Sequence, residues 1–480
     1  MTHHLRRLSA MTLLALSACA TQQDIQPKLK RLDVQQWGLD GQAVPAEGAA
    51  TEALVPSFGD STLRALIERA LIAQPSIQVV QARLAKAQAQ AVATRGGELP
   101  QIQATAEVDR QHFTENSIYP PPLGGTIRNT GTLQLEGSWE LDLFGRQRAL
   151  VDAAIGQSRA AQADAQAARV LLSSQVARAY VQLARLLAQK DVAQRTLAQR
   201  QESLSLIKQR VTAGLDTVVE LRLSEGALPD VRQQIEALDE QIAWSRHALA
   251  ALTGQPPSAT DSLTPSIQAL QPMTLPATVP VDLLARRADI TAARWRAEAS
   301  GHVVDAARAL FYPNIDLRGY LGFNAIGLDR LLESGSRQYG LMPAIHLPLF
   351  DGDRRRANLQ GNVAEQDAAV ASYNQAVIEA VHEVADQLSS IDSLLRQRRE
   401  QHAAQTSAEA GYDAALQRYR AGLGTYLTVL NAETAVLNQR RLAVDLQARA
   451  MDAQVSLVRA LGGQAAAQNN NTLSQSGDRS

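Results

Sequence analysis

The stretch "SWELDLFGRQRALVDAA" (Ser138–Ala154) changes its periodicity partway along. Up to Leu143 apolar and polar residues alternate, the period of a strand with two unlike faces, and after Gly145 the pattern turns helical and rich in Arg. A second stretch far downstream, "AIHLPLFDGDRRRANLQ" (Ala344–Gln360), makes the same change after the same Leu-Phe pair. A junction built twice implies a duplicated chain, and further matches follow in the same order. "GGELPQIQATAEVD" (Gly96–Asp109) matches "RALFYPNIDLRGYLG" (Arg308–Gly322), "QRVTAGLDTVVELRLSE" (Gln209–Glu225) matches "QRYRAGLGTYLTVLNAE" (Gln417–Glu433), and "ALTG" (Ala251–Gly254) matches "ALGG" (Ala460–Gly463). The repeated unit reads as a helix, a pair of strands and a pair of long helices.

The strand pattern places Leu133, Leu135, Trp139, Leu141 and Leu143 on one face and Gln134, Glu136, Ser138, Glu140 and Asp142 on the other. The same alternation predicts strands over about 99–113, 130–144, 312–323 and 339–350. Such strands suit either a half-buried sheet or a membrane barrel with a wet lumen, and alternation alone leaves both open. Four strands cannot close a barrel, and open strand edges are not tolerated in lipid, so a barrel reading requires several subunits to share one. The connecting stretches Thr114–Gly131 and Asn324–Gln338, rich in Pro, Gly, Ser and Asn, would be extracellular loops. On the barrel reading Glu107, Asp109, Glu136, Glu140, Asp142 and Asp316 would line the lumen against Arg318, which predicts a mild cation preference.

The remainder is helical. Apolar residues make up 45% of the 480-residue chain but aromatics only 4%, the profile of long helices packed through small side chains. Arg146–Ala213 and Asp353–Ala421 contain no Pro, and each could extend for roughly 100 Å. Within the first, Leu172, Val176, Ala179, Leu183 and Leu186 form one coiled-coil seam, and Val170, Ser174, Ala177, Val181, Ala184 and Ala188 form another. The seams start about 200° apart around the helix, so it should be packed on opposite sides, as in a tube of helices.

Lys and Arg total 47 against 48 Asp and Glu, so no basic surface points to nucleic acid. The N-terminus carries Arg6 and Arg7, an apolar run of about eleven residues and then Leu16-Ser17-Ala18-Cys19, the form of a secretory signal. Cys19 is the only cysteine, which excludes an intrachain disulfide. No later run of roughly eighteen apolar residues offers a membrane-spanning helix.

Catalytic and cofactor motifs are incomplete. His382-Glu383-Val384-Ala385-Asp386 opens like a zinc-protease helix but ends in Asp rather than the second His, and Asp351-Gly352-Asp353 is followed by Arg residues that oppose a cation. Gly422-Leu423-Gly424 lacks the third Gly and the preceding strand of a dinucleotide loop. No metal site, cofactor or enzymatic activity is expected.

Leu16–Cys19 resembles a lipobox, which implies cleavage after Ala18 and acylation of Cys19; Ala20 at the next position favours the outer membrane. The order of elements, with "WELDLFGRQRA", "LLARRADI", "FYPNIDL", "LFDGDRRRANL" and "YRAGLGTYLTVLNAE", resembles the TolC-type outer-membrane efflux proteins, specifically their NodT-like lipoprotein branch, over about Ser57–Gly463. Departures are Ala288 in place of a usual Pro and His302-Val303 in a helix that usually carries Ala. The resemblance implies an α+β membrane protein. It would be a homotrimer with a shared 12-stranded β-barrel, four strands per chain, continuous with a 12-helix periplasmic α-helical barrel. Phe144, Gly145, Phe350 and Gly352 would be its strand-to-helix junctions.

The implied function is passage of drugs or other toxic compounds from an RND-type inner-membrane pump, through a periplasmic adaptor, to the cell exterior. Gly214, Leu215, Gly422, Leu423 and Gly424 would be the adaptor-contacting tips, and Glu220, Tyr419, Thr428 and Asn431 the periplasmic gate candidates. The expected organisation is a signal peptide (1–18), an acylated extended segment (19–56), a first repeat (57–254), an equatorial linker (255–281), a second repeat (282–463) and a tail (464–480). The rival reading, a periplasmic coiled-coil structural lipoprotein, explains the helices and Cys19 but gives no reason for the strands.

Overall fold

A computed structural model describes residues 25–32, 58–116, 118–271 and 287–463. The signal segment, Cys19, much of the segment 19–56, linker residues 272–281 and the tail 464–480 lie outside the described residues. The main elements in chain order are α1 (Ser61–Ala73), α2 (Pro75–Gly96), β1 (Gln101–His112), β2 (Ile127–Leu141), α3 (Arg146–Thr212), α4 (Val218–Leu252), α5 (Ala288–Ala309), β3 (Asn314–Ile326), β4 (Arg337–His346), α6 (Arg354–Arg420) and α7 (Tyr426–Ala460). Helices at matching places in the two halves have equal lengths: 22 residues for α2 and α5, 67 for α3 and α6, and 35 for α4 and α7. In these helices the duplication therefore reaches to the residue.

Two compact units gather the chain, and they are not the two repeats. One comprises Met1–Arg31, Ala82–Gln162 and Ala292–Asn374; the other comprises Leu32–Gln81, Ala163–Thr291 and Gln375–Ser480. Each draws matching segments from both halves, because helices as long as α3 and α6 contribute to more than one core.

The first unit holds one antiparallel sheet in the order β1-β2-β3-β4. Its register pairs Gln103 with Glu136, Glu136 with Tyr320, and Ser138 with Arg318, so these polar side chains share a face. Gln103 Nε2 donates to Glu136 Oε2 (2.8 Å), Gln338 Nε2 to Gln134 Oε1 (2.7 Å) and Asn324 Nδ2 to Thr132 Oγ1 (2.9 Å). The other face carries Ile102, Val108, Leu135, Leu321, Tyr339, Leu341 and Ile345, all exposed. An apolar sheet face left uncovered along every strand is the wall of a membrane barrel, not of a half-buried sheet.

Three strands are displaced from their predicted spans, away from the helices. β2 ends at Leu141 rather than 144, β4 ends at His346 rather than 350, and β3 runs on to Ile326 rather than 323. The cause at the first junction is helix initiation. Asp142 accepts the backbone N–H of Arg148 (2.9 Å), which caps the start of α3 and removes Asp142 from the strand face expected to line a lumen. Gly145 then takes φ +74°, a conformation that favours glycine. At the second, Gly352 (φ +63°) and Asp351, which accepts from Arg355 Nε (2.7 Å) and the Arg355 N–H, do the same for α6. Leu143, Phe144, Leu347, Leu349 and Phe350 thereby fall between strand and helix.

The second unit is built on α3. Leu172, Val176, Leu183 and Leu186 of one seam and Ser174, Ala177, Val181 and Ala184 of the other are all buried, while Ala179, Val170 and Ala188 are half-buried. Tyr180, between the seams, is buried too, and its hydroxyl donates to Asp60 (2.7 Å), the N-cap of α1. The core it joins includes Leu63 and Ile67 of α1, Leu249 of α4 and Met451 and Val455 of α7.

Arg287 accounts for the conspicuous "LLARRADI" phrase. It is 7% exposed, forks onto Asp289 (3.1 and 2.8 Å), and its Nη1 donates to Glu383 (3.0 Å) and to the Ala460 carbonyl (2.8 Å). Arg459 pairs with the same Glu383. Burial works against the Asp289 carboxylate, but the Arg287 fork outweighs it and holds its pKa below the ordinary carboxylate range. This stabilisation is fully present above the unfolded carboxylate value of about 4 and is lost as pH falls toward the lower folded value. Melting temperature measured by circular dichroism should therefore drop in the parent as pH falls below about 4, and Asp289→Asn should lower it by a few degrees at neutral pH and shrink the acid-dependent drop.

Candidate functional site

Where α3 meets α4, the chain must reverse within a few residues. Gly214 takes φ +74°, the Leu215 N–H bonds to the Arg210 carbonyl (2.8 Å) and the Gly214 N–H to the Val211 carbonyl (3.0 Å). That pair of bonds is a Schellman motif, satisfying carbonyls that the helix end leaves open. The α6–α7 turn repeats it: Gly422 has φ +76°, Leu423 N–H bonds to Arg418 O (2.8 Å) and Gly422 N–H to Tyr419 O (3.0 Å). Leu215 and Leu423 project from these turns at 65% and 69% exposure. Gly424 does not adopt positive φ.

The predicted gate candidates separate at this point. Tyr419 is 2% exposed and packs with Ile207, Tyr426 and Val429. Its hydroxyl donates to Asp216, and the Arg210 guanidinium lies 4.7 Å from its ring centroid. Arg210 Nε also donates to Asp216 (2.9 Å), so Asp216 in the first turn ties together Arg210 of α3 and Tyr419 of α6. Burial, then the hydrogen bond and charge of Asp216, push the Tyr419 phenol above its ordinary pKa, so it remains a proton donor through the physiological range. Glu220 instead closes a capping box: the Thr217 hydroxyl accepts from Val219 N–H, and the Glu220 carboxylate accepts from the Thr217 N–H (3.0 Å) and hydroxyl. The Thr217 bonds lower the Glu220 pKa. Thr428, at the matching place, lies 3.2 Å from the Thr425 hydroxyl, and Asn431 is exposed.

Sequence reading missed Arg210 and Asp216, which resemble an ordinary helix-end base and a turn aspartate. The usable signal was the repeat itself, since Asp216 stands where the second copy has Gly424.

A second tie joins α3, α4 and α7. Arg200 Nε donates to Glu433 (3.0 Å) and its Nη1 to the Ala227 carbonyl (2.9 Å), with side-chain exposures of 11% and 6% for the ion pair. Burial raises the Glu433 pKa, and the Arg200 charge opposes it.

The motifs with catalytic overtones are structurally occupied. Glu383 is held by Arg287 and Arg459 while His382 is exposed, and Asp351 is held by Arg355. Among the described residues, no group of three or more His, Cys, Asp or Glu could hold a metal, and no helix is long and apolar enough to cross a membrane.

A duplicated set of long helices, each copy interrupted by a pair of strands whose apolar face is bare, defines the subunit of an outer-membrane channel. The family described as "Outer membrane efflux protein" matches residues 66–255 and again 279–463, one match in each half, and the chain belongs to that family. It is 37% identical over 360 residues to the fusaric acid resistance protein FusA of Burkholderia cepacia, covering 72% of this chain and 67% of the relative. It is 33% identical over 374 residues to the multidrug resistance outer membrane protein MdtP of Shigella flexneri, covering 75% and 77%. The fold is similar to the outer membrane protein VceC of Vibrio cholerae, with a TM-score of 0.80, 35% identity and coverage of 85% and 98%. The protein is an outer-membrane efflux channel component.

Removing one partner of a buried ion pair leaves the other uncompensated, at a cost of about 3–5 kcal/mol. Arg200→Met and Glu433→Leu should each lower the melting temperature strongly, and the double variant should recover part of the loss. A double-mutant cycle by differential scanning calorimetry reads the coupling; strictly additive losses would mean that the pair is not coupled.

Proposed function

We propose that three copies of this chain assemble into the channel and that it is the exit duct of a tripartite export system. The observation that carries this reading is the sheet: β1 and β4 are its two edges, its apolar face is bare, and neither edge can stay open in lipid. Joining β4 of one copy to β1 of the next closes the barrel and places the Glu136 and Arg318 face around water. The exposed turns at Gly214-Leu215 and Gly422-Leu423-Gly424 then serve as the contact for a periplasmic adaptor, with an RND-type pump beyond it. The names of the relatives, fusaric acid resistance and multidrug resistance, support small toxic organic compounds as the cargo. Cys19, acylated, anchors each copy to the outer membrane.

In this reading the Arg210–Asp216–Tyr419 cluster is a latch on the closed tunnel, since it joins the first turn to a helix of the second repeat. Asp216→Ala removes the acceptor of both donors. In planar bilayers, with the trimer checked by native mass spectrometry, it should raise single-channel conductance several-fold, and Tyr419→Phe should raise it less because Arg210 keeps its carboxylate. Unchanged conductance in both variants would remove the latch. Glu220→Ala is a separate test: a rise keeps Glu220 in the gate, and no change leaves it as the cap of α4. A preparation that is monomeric and gives no conductance steps would overturn the shared barrel.

A further inference from the structure

The polar face of the sheet carries glycines directly beside some of its largest side chains. By register Glu136, Tyr320 and Gly340 stand side by side on that face, and in the next row Gln134, Gly322 and Gln338 do the same. Glycine inside a strand gives up strand propensity, and it marks places where another group comes close to the backbone. Both rows show such an approach. Gln338 Nε2 reaches across Gly322 to Gln134 Oε1 (2.7 Å), and a Cβ at Gly322 would lie 2.5 Å from Gln134 Cβ. A Cβ at Gly340 would lie 2.7 Å from Tyr320 Cε1, 2.8 Å from its Cζ and 3.0 Å from its hydroxyl oxygen, tighter than real Cβ contacts.

These distances fix the posture of Tyr320. The three atoms belong to the far end of its side chain, so the ring extends sideways from β3 to β4 and rests on the Gly340 backbone. Side chains on a sheet ordinarily stand roughly perpendicular to it. An aromatic ring laid over a neighbouring glycine instead covers the bare backbone and projects little from the wall. A cavity of about 690 Å³ opens over this face, lined in part by Gln103, Glu136, Arg318, Tyr320 and Gln338. The Tyr320 hydroxyl has no hydrogen-bond partner among the described residues, so the space left by Gly340, not a tether, keeps the ring down.

We propose that Gly340 is a slot in which Tyr320 is stowed, and that this pair sets the bore of the barrel at its level and so the size of the cargo that passes. The proposal rests on the reading of the polar face as the lumen of a shared barrel. The ladders on both sides of β3 hold Tyr320 opposite Gly340, so a Cβ added at 340 cannot slide away from the ring. The ring can yield, by turning about its first side-chain torsion to another staggered position. Off the slot it stands into the lumen, once per copy, which narrows the passage for bulky solutes more than for small ones. Gly340 is a positioning residue, and Tyr320 acts by the volume it occupies.

The test places a thiol beyond the pair. Ala344 lies on the same face of β4, four residues from Gly340 toward the helices, so a reagent entering from the loop end must pass Tyr320 to reach it. The full chain carrying Ala344→Cys is labelled in intact cells with a small maleimide or with one bearing a bulky polymer. Labelling is read by mass spectrometry on the peptide that contains residue 344, which separates it from Cys19. The expected result is that Gly340→Ala and Gly340→Val leave the small reagent's rate nearly unchanged, slow the bulky reagent several-fold, and regain the parent rate when Tyr320→Ala is added. Bulky labelling that is unchanged in both glycine variants, or slowed but not restored by Tyr320→Ala, would overturn the stowage alone. A residue 344 that neither reagent reaches in the parent would overturn the lumen reading and the pair together. Gly340→Ala adds a single carbon, so the comparison stands even if Gly340→Val fails to assemble.

Discussion

A backbone N–H or C=O that enters hydrocarbon without a partner costs several kcal/mol, and that constraint organises this molecule. The sheet of four strands satisfies its inner ladders but offers two open edges and an uncovered apolar face. Such an object is not stable in water as a lone surface and not stable in lipid as a lone sheet. Sharing a barrel among copies resolves both conditions at once. The duplication provides the necessary parts economically, since each repeat contributes one strand pair and its helices.

The small-residue composition belongs to the same logic. Helices that pack on more than one side need neighbours close by. A Cβ at Gly156 of α3 would lie 2.9 Å from Ala299 Cβ of α5, closer than such atoms approach. In the same unit Ala160, Ala292, Ala297 and Ala299 are buried. Bulky aromatics would hold the helices apart, and they are few; among them Tyr419 and Tyr426 pack near the turns, and Phe144 stacks on Tyr312 at the junctions.

Much of this was legible in the sequence because period and repetition are local signals. The ends of α3 and α6 fall within a residue of the helical stretches read from the sequence, Arg146–Ala213 and Asp353–Ala421, and the buried seam residues follow directly from heptad spacing. The strand limits were less legible. Alternation in "SWELDLF" continues past Leu141 although the backbone ladder stops there, since Asp142 serves helix capping and only the fold tells a capping carboxylate from a strand carboxylate. Glu225 and Glu433 occupy matching places in the repeats, yet Glu225 pairs with Arg222 of its own helix while Glu433 is buried against Arg200. Nothing in either neighbourhood announces that difference, because it depends on a residue from another helix.

At the turns the two copies share a scaffold and differ in the residues that make contacts from it. Both turns keep the same glycine and the same pair of Schellman bonds, so the scaffold of the reversal is preserved. The residue after Leu differs, Asp216 in one and Gly424 in the other, and so does the residue after the terminal Arg, Val211 against Tyr419. Asp216 needs a donor across the gap, and Tyr419 supplies one from the opposite repeat. Two Asp turns would leave carboxylates facing each other without enough donors, and two Gly turns would leave no acceptor. A cross-repeat link thus requires the copies to be unequal at this place, and a link made from unequal copies can be released without unfolding the turns that carry it.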